Sequence, residues 1–328
     1  MTMLSICIPT YNRSGYLDRI LASLSDQLSC DVEVVILDNA STDDTGSVVR
    51  KWQEIRPGRL RYEVRDRTIV GNANIAEAAR AGTGAHVWVL GDDDIIPPGT
   101  VGRILTYARE GNDFVILNHA VYDRGMEKVR CPRWYALRTD ANIRGRDAAM
   151  AFLGPTPGFI SSVIARRGIL DSLDGVVLDR YVALGFNQMY AFYNGLSETA
   201  RGVVTADILL LVRGNDFGIY TRWEEVFVSG IGTVLTDLRR LGYGRWSVNR
   251  ALGQTVIRYH IGRAVDLKKA GQPAWLLFRT GFRHYCWCWE YWCVLTPLAL
   301  PPAPVVMLAC KARLWLKRGS SLGGRANT

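Results

Sequence analysis

Over roughly its first 120 residues the chain alternates short, densely apolar runs with stretches whose apolar residues recur at helical spacing. That alternation restricts the fold more than any single motif does. The first run, Leu4, Ile6, Cys7 and Ile8, stops at Pro9, and residues 11–15 read as a turn. Leu17, Ile20, Leu21, Leu24 and Leu28 then fall at i, i+3, i+4, i+7 and i+11, one face of a helix. Residues 32–37 form a second apolar run ending at Asp38, and residues 39–44 cap a helix with the face Val48, Val49, Trp52 and Ile55. A third run covers residues 60–64, and an Ala-rich helix over about 72–81 is stopped by Gly82 and Gly84. A strand over 87–90, a helix carrying Val101, Ile104, Leu105 and Ala108, and a strand over 114–117 follow. Strands alternating with helices imply an α/β fold: a mostly parallel central sheet with right-handed crossovers and helices on its faces.

The stretch after the fourth run concentrates chemistry. Val87, Trp88, Val89 and Leu90 lead through Gly91 into Asp92, Asp93 and Asp94, and Pro97 and Pro98 forbid the strand from continuing. A buried strand thus delivers three adjacent carboxylates to its C-terminal edge, where open α/β sheets bind ligands. Asp38 belongs to the same edge. The three carboxylates repel one another, and a hard divalent cation, Mg²⁺ or Mn²⁺, would relieve that repulsion while keeping open positions for phosphates. An acidic turn or helix cap is the plainer alternative.

Composition narrows the partners. The formal net charge of +9 favours anionic ones: nucleotide phosphates, nucleic acid or an acidic membrane surface. Nucleic acid is disfavoured, because the aromatic residues of the C-terminal part lie in apolar sequence instead of alternating with basic residues. Seven cysteines are scattered, and Cys286, Cys288 and Cys293 lack zinc-site spacing, which suits reduced thiols in a cytoplasmic protein. Residues 1–5 show no basic segment or cleavage site of a secretory signal. There is no GxGxxG after the first strand and no P-loop lysine, which disfavours dinucleotide and P-loop sites.

Four pieces stand in a telling order: Ile8-Pro9-Thr10-Tyr11-Asn12, Leu37 through Asp43, Gly71-Asn72-Ala73-Asn74, and Leu90 through Asp94. Together they resemble the family 2 glycosyltransferases of GT-A (Rossmann-like) fold, over roughly residues 4–120. The resemblance implies transfer of a sugar from a nucleotide-diphosphate donor to an acceptor hydroxyl, in a hexosyl- or deoxyhexosyltransferase. It implies that Pro9, Thr10, Tyr11, Asn12, Asp38, Asn39, Asn74, Asp92, Asp93 and Arg213 bind the nucleotide, with Asp38 accepting from a base N–H and Tyr11 packing on the ring. Asp92, Asp93 and Asp94 would hold the metal, although Gly91 begins a Gly-Asp-Asp-Asp where many relatives carry Asp-Ala-Asp-Asp. Ala73 replaces a usual arginine, so Arg65 or Arg67 is a candidate for a phosphate contact.

Further along, a strand is expected over 158–167, and Leu178, Asp179, Arg180 and Tyr181 begin an amphipathic helix with Leu184, Met189, Phe192 and Tyr193. By the resemblance Asp179 is the candidate general base, ahead of Asp174, Asp171 and Glu198; a helix cap explains it as well. Asn187 and Gln188 face either a sugar or solvent. Arg213 ends a strand before a loop over the site. The expected division is a catalytic region over 1–220 (nucleotide half 1–120, acceptor half 121–220) and a helical C-terminal region over 221–328.

In that last region residues 223–241 and 246–269 read as helices. Residues 291–310 are twenty consecutive uncharged residues; the aromatic cluster Tyr285, Trp287, Trp289, Tyr291 and Trp292 leads into them, and Lys311, Arg313, Lys317 and Arg318 follow. Length alone permits a span, but Pro297, Pro301, Pro302 and Pro304 break a straight helix. A re-entrant or interfacial element over about 282–318 is expected on the cytoplasmic face of the inner membrane, serving a glycan acceptor carried on a polyprenyl lipid. A buried tail or a homo-oligomer contact is the alternative. Bacterial surface-polysaccharide synthesis (O-antigen, for example) with inversion by direct displacement is the implied setting. The competing readings are a catalytically silent scaffold subunit and, behind it, a nucleotidyltransferase.

Overall fold

The computed structural model describes residues 2–170, 175–214, 223–302 and 304, with residues 175–179 described in backbone only. Among these, nine strands form one sheet ordered β3-β2-β1-β4-β8-β5-β9-β7, with β6 beside β5. The elements of the first half are β1 (Leu4–Thr10), α1 (Ser14–Ser25), β2 (Val32–Asp38), α2 (Thr45–Ile55), β3 (Leu60–Val64), α3 (Gly71–Ala81), β4 (His86–Val89) and α4 (Thr100–Arg109). They are followed by β5 (Phe114–Tyr122), β6 (Val129–Cys131), β7 (Ala141–Arg144), α5 (Arg146–Leu153), β8 (Val163–Arg166), α6 (Arg167–Leu170), α7 (Gly175–Leu184), α8 (Asn187–Gly195) and β9 (Arg201–Arg213). The pairings run β1, β2, β3, β4, β5 and β9 in one direction and β6, β7 and β8 in the other. The expected mostly parallel α/β sheet is therefore what forms, and its strand order reverses at β1 and β4, where such sheets open a ligand crevice.

Period-two alternation assigns the two faces. Leu4, Ile6, Ile8, Val34 and Ile36 pack with Leu17, Ile20, Leu21 and Leu24 of α1 on one face. Cys7, Val35, Leu37, Val87 and Val89 pack with Ala78 of α3 on the other. Each fully buried aliphatic side chain contributes roughly 1.5–3 kcal/mol, so α1 is held by its stripe. The α2 face is narrower than expected: Val49 and Trp52 are buried, while Ile55, at the helix's last position, is exposed.

Three expectations need correction. β5 runs past Leu117 to Tyr122 because it pairs with β9 from Phe114 to Tyr122, with register shifts at Asn118. The buried polar residues that hid this are satisfied: the Asn118 amide donates to Tyr135 O (2.8 Å) and Ala206 O (3.1 Å) and accepts from Tyr135 N. The strand expected over 158–167 is instead two single turns, Thr156–Gly158 and Ile160–Ser162, followed by the short β8. Ser161 is withdrawn from any ladder there, its carbonyl accepting from Trp88 Nε1 (2.8 Å) and its hydroxyl from Gly91 N (3.0 Å). Finally, Leu178 to Tyr181 does not begin a helix: α7 is already helical at Gly175, and Gly185, at a φ of +82°, breaks it from α8.

The C-terminal region is helical as expected. Glu224–Gly230 leads into α9 (Ile231–Asp237), and α10 (Arg245–Thr255) continues through Val256–His260 into α11 (Ile261–Lys269). α12 (Trp275–Tyr285) and the segment from Tyr291 through α13 (Thr296–Ala299) complete it. Its side chains share one core with the second half of the sheet region: Phe114, Met189 and Phe192 belong to the same cluster as Val234, Leu252, Leu277 and Leu295. Among the described residues no helix is long and apolar enough to cross a membrane. The second half of the 291–310 run, from residue 305 on, and the basic residues after it lie outside the described residues.

Candidate active site

The parallel strands bring Thr10, Asp38, the residues after β4 and Arg213 to one sheet edge. At the switch point, Thr10 Oγ1 donates to Asp92 Oδ2 (2.8 Å), and Arg13 Nη1 bridges Asp92 Oδ1 (2.9 Å) and Asp93 Oδ2 (3.1 Å). Arg13, read from sequence as part of a turn, precedes α1 directly, so the helix start aims it at the carboxylates. Burial holds the Asp92 carboxyl above the usual carboxylate range, with Arg13 pulling the other way. Asp94 is wholly enclosed. Burial, reinforced by Asp93, pushes its carboxyl up to about 7, although it accepts hydrogen bonds from the Ser161 hydroxyl and from Arg213 N.

Arg213 closes this edge from β9. Its Nε donates to Asp93 O (3.3 Å), its Nη1 donates to Arg124 O, and its guanidinium lies 4.7 Å from the Tyr16 ring centroid. A backbone bridge between Ile95 and Leu211 locks the acidic loop to β9. Two arginines therefore flank the carboxylates, Arg13 half-exposed and Arg213 buried.

The three carboxylates do not form a common cage: Asp92 is spent on Thr10 and Arg13. Among the described residues no group of three or more His, Cys, Asp or Glu side chains could hold a metal ion. Asp93 and Asp94 still suit a hard cation. A Cβ placed on Gly91 would lie 3.3 Å from Asp94 Oδ2 and 3.4 Å from Asp93 Oδ1, so oxygens of both converge over a backbone without a side chain. Mg²⁺ is ordinarily held by one or two carboxylates, with phosphates and water completing its shell.

The remaining expected residues build the neighbouring floor. Asp38 is buried, accepting from Ser41 N (2.8 Å) and from the Tyr62 hydroxyl (2.6 Å), a partner the sequence did not suggest. Pro9 sits in β1 opposite Leu37, so the strand passes through it to Thr10. Tyr11 is exposed. Asn12, at a φ of +50°, accepts from Thr42 N (2.7 Å), and Ala40 is also left-handed at +63°. Left-handed non-glycine residues cluster at functional turns, and here the two lie after β1 and β2. Asn39 exchanges two hydrogen bonds with Ile69, and Asn74 accepts from Arg65 Nε (3.1 Å). Arg65 is further committed to Glu77, whereas Arg67 is exposed. The side chain of Asp179 lies outside the described ones, as do Asp171 and Asp174; Glu198 is paired with Arg146 at 3.3 Å.

Beside Arg213 opens a cavity of about 450 Å³. Its walls include Asn72 of α3, His119 and Val121 of β5, Phe159, Gln188, and Val226, Phe227 and Tyr259 from the C-terminal region. His119 stacks on Trp134 (5.2 Å) with Phe159 tilted against it (5.1 Å), and burial pushes its pKa down to about 4, so the ring is neutral at ordinary pH. Asn187, buried, donates to Asn72 O (3.2 Å) instead of facing solvent.

The family model described as Glycosyl transferase family 2 matches residues 5–170. The chain is 26% identical over 183 residues to the abequosyltransferase RfbV of Salmonella typhimurium, covering 52% of this chain and 55% of that protein. It is 30% identical over 153 residues to the GalNAc(5)-diNAcBac-PP-undecaprenol beta-1,3-glucosyltransferase of Campylobacter jejuni, covering 46% and 48%. The matches thus span about half the length of these curated relatives. Among solved structures, S. aureus TarS 1–349 superposes with a TM-score of 0.61 at 14% identity, covering 87% of this chain and 89% of that one. The mannosyltransferase PcManGT from Pyrobaculum calidifontis, in complex with GDP-Man and Mn²⁺, gives 0.56 at 18%, covering 95% and 80%. At those identities the likeness is one of fold.

The enclosed carboxyl of Asp94 yields a stability prediction. In the folded chain it titrates at about 7, above the ordinary carboxylate range. The resulting cost is absent at pH 3, grows as pH rises through that window and is complete above about 7. Asp94→Asn, which keeps an acceptor for Arg213 N, should therefore raise stability at pH 8 by on the order of 2–4 kcal/mol. At pH 3 it should change little. Chemical denaturation at the two pH values reads the difference.

Proposed function

The chain belongs to glycosyl transferase family 2, and from that premise we propose that it moves a sugar from a nucleotide-diphosphate donor to an acceptor hydroxyl on a lipid-linked glycan of bacterial surface polysaccharide. The observation that carries the reading is the continuity of the carboxylate edge, through Arg213, with the cavity beside it. The nucleoside lies over the floor made by Tyr11, Asn12, Asp38 and Asn39. The diphosphate lies at Asp93 and Asp94, within reach of Arg13, which is free to exchange its carboxylates for phosphate oxygens. Mg²⁺ or Mn²⁺ held by Asp93 and Asp94 would neutralise charge developing on the departing diphosphate.

Direct displacement with inversion needs a base on the acceptor side. Asp179 lies one turn from Ala183 along α7, and Ala183 borders the cavity. That placement supports Asp179 as the group that takes the acceptor hydroxyl proton. The name of the Campylobacter relative, which refers to an undecaprenol-linked glycan, supports the lipid-linked acceptor.

The C-terminal helices supply a membrane contact at the cytoplasmic face. Trp275, Leu276 and Phe282 of α12 are exposed, as are Trp287 (69%), Trp289 (61%) and Trp292. Arg279 and Arg283 lie among them, Arg279 5.8 Å from the Trp275 ring centroid. Aromatic residues interleaved with cations suit the headgroup layer of an anionic bilayer. This face begins on α12, ahead of the uncharged run 291–310, and reaches into it at Trp292.

Three measurements test the reading. Titration with UDP-, dTDP-, GDP- and CDP-sugars, with and without Mn²⁺, should reveal metal-enhanced binding of one nucleotide that Asp93→Ala removes. No binding under any condition would favour a silent scaffold subunit. Asp179→Asn should lower kcat by roughly 10²–10⁴ while leaving donor affinity intact; unchanged turnover would remove Asp179 as the base. Trp287→Ser with Trp289→Ser should weaken co-sedimentation with phosphatidylglycerol vesicles roughly tenfold, and undiminished binding would move the contact elsewhere.

A further inference from the structure

The two arginines that flank the acidic loop are held in different ways. Arg213 is buried and fixed, Nε donating to Asp93 O and Nη1 to Arg124 O. The Arg13 side chain is 45% exposed, and its hydrogen bonds all leave from Nη1, to Asp92 Oδ1 (2.9 Å) and Asp93 Oδ2 (3.1 Å). Nε and Nη2 of Arg13 have no hydrogen-bond partner among the described residues. Both guanidinium groups lie over the Tyr16 ring, Arg13 at 5.9 Å and Arg213 at 4.7 Å from its centroid, a contact that steadies each cation. If Arg13 turns away, Asp92 still holds the Thr10 hydroxyl (2.8 Å).

Asp93 is therefore asked to serve two cations. The carboxylate that suits a divalent ion already accepts from Arg13, and two positive groups on one carboxylate repel each other. Three carboxylates also face two guanidinium groups, so a divalent cation arriving alone leaves the cluster with an excess of positive charge. A diphosphate brings the negative charge that offsets it, and it offers Arg13 a partner for the donors it leaves unused. We infer that Arg13 is a counter-ion gate: it keeps a free divalent cation off Asp93 and yields that carboxylate only when a diphosphate draws its guanidinium away. Cation and nucleotide then load together. The inference rests on the nucleotide-sugar reading and adds a binding order to it.

The test titrates the purified full chain with Mn²⁺ by calorimetry, alone and with each of UDP, dTDP, GDP and CDP. Arg13→Gln, which keeps hydrogen-bonding capacity and loses the charge, should bind Mn²⁺ alone about 10-fold tighter than the unaltered chain. Arg13→Lys, which keeps the charge, should bind it as the unaltered chain does. The gain in Mn²⁺ affinity brought by the accepted nucleotide should shrink roughly fivefold or more in Arg13→Gln. If Arg13→Gln binds Mn²⁺ alone no tighter, yet takes it up once a nucleotide is present, the inference alone is overturned. An Arg13→Lys chain as tight as Arg13→Gln overturns it too, because the charge would then not be the cause. Weaker Mn²⁺ binding in both variants makes Arg13 a support for the loop and likewise overturns the gate. Absence of Mn²⁺ binding in all three chains, with every nucleotide, overturns the metal dependence of the proposed function and this inference with it.

Discussion

Three consecutive carboxylates at the end of one buried strand set the electrostatic condition that the surrounding structure must meet. Each meets it differently. Asp92 is neutralised from below by Thr10 and Arg13, and Asp93 shares that arginine. Asp94 is enclosed between Ser161 and Arg213 N, which leaves it the least compensated of the three. A buried charge without a full complement of partners is costly, and stability given up at one point of a sheet edge is a common mark of a site that a ligand completes. Gly91 allows the crowding, since any side chain there would occupy the space over which the carboxylates of Asp93 and Asp94 converge.

Much of the first half was legible because its signals are local. Apolar periodicity placed β1 through β4 and α1 through α4 within a few residues, and the acidic triplet and Asp38 stood at strand ends. What escaped depends on partners far apart in sequence. Arg13 meets Asp92 across 79 residues, and Ser161 meets Gly91 across 70. Neither residue type signals its role locally: an arginine in a turn and a serine in an apolar stretch both look ordinary. The same holds for Tyr62 on Asp38. The break at Gly185 is different in kind, because a lone glycine inside helical periodicity costs only about 1 kcal/mol and so predicts no break; its left-handed φ decides it.

The stretch from 121 to 214 escaped most, for a packing reason. Its core is not its own. Met189, Phe192 and Tyr193 of α8 share one cluster with residues of α9, α10 and α12, so the apolar residues of 180–195 serve helices more than 40 residues away. The Tyr243 hydroxyl donates to Tyr193 O at 2.6 Å, a buried link between the two regions. A cavity wall assembled from α3, β5, β9 and Tyr259 cannot be seen in any one window of sequence.

The segment that helps complete the cavity packs against the helix that carries Trp275, so the two features lie on adjoining helices. The Tyr285 hydroxyl of α12 donates to Val228 O at 2.9 Å, and Val226 and Phe227, in the preceding turn, line the cavity. α12 buries Leu277, Gly281, His284 and Tyr285 toward this layer and leaves Trp275, Leu276 and Phe282 outward. Under the proposed function this arrangement has a geometric consequence. An acceptor glycan anchored in a bilayer at the outer face of α12 would meet the chain on the helical layer that packs against the cavity's wall. A hydrophilic acceptor arriving from solution would gain nothing from such a face, and an exposed row of tryptophans would be a liability for a freely soluble chain. The outward aromatic face of α12 and the cavity wall at Val226 and Phe227 thus belong to helices packed on one another, and each makes physical sense if the other is in use.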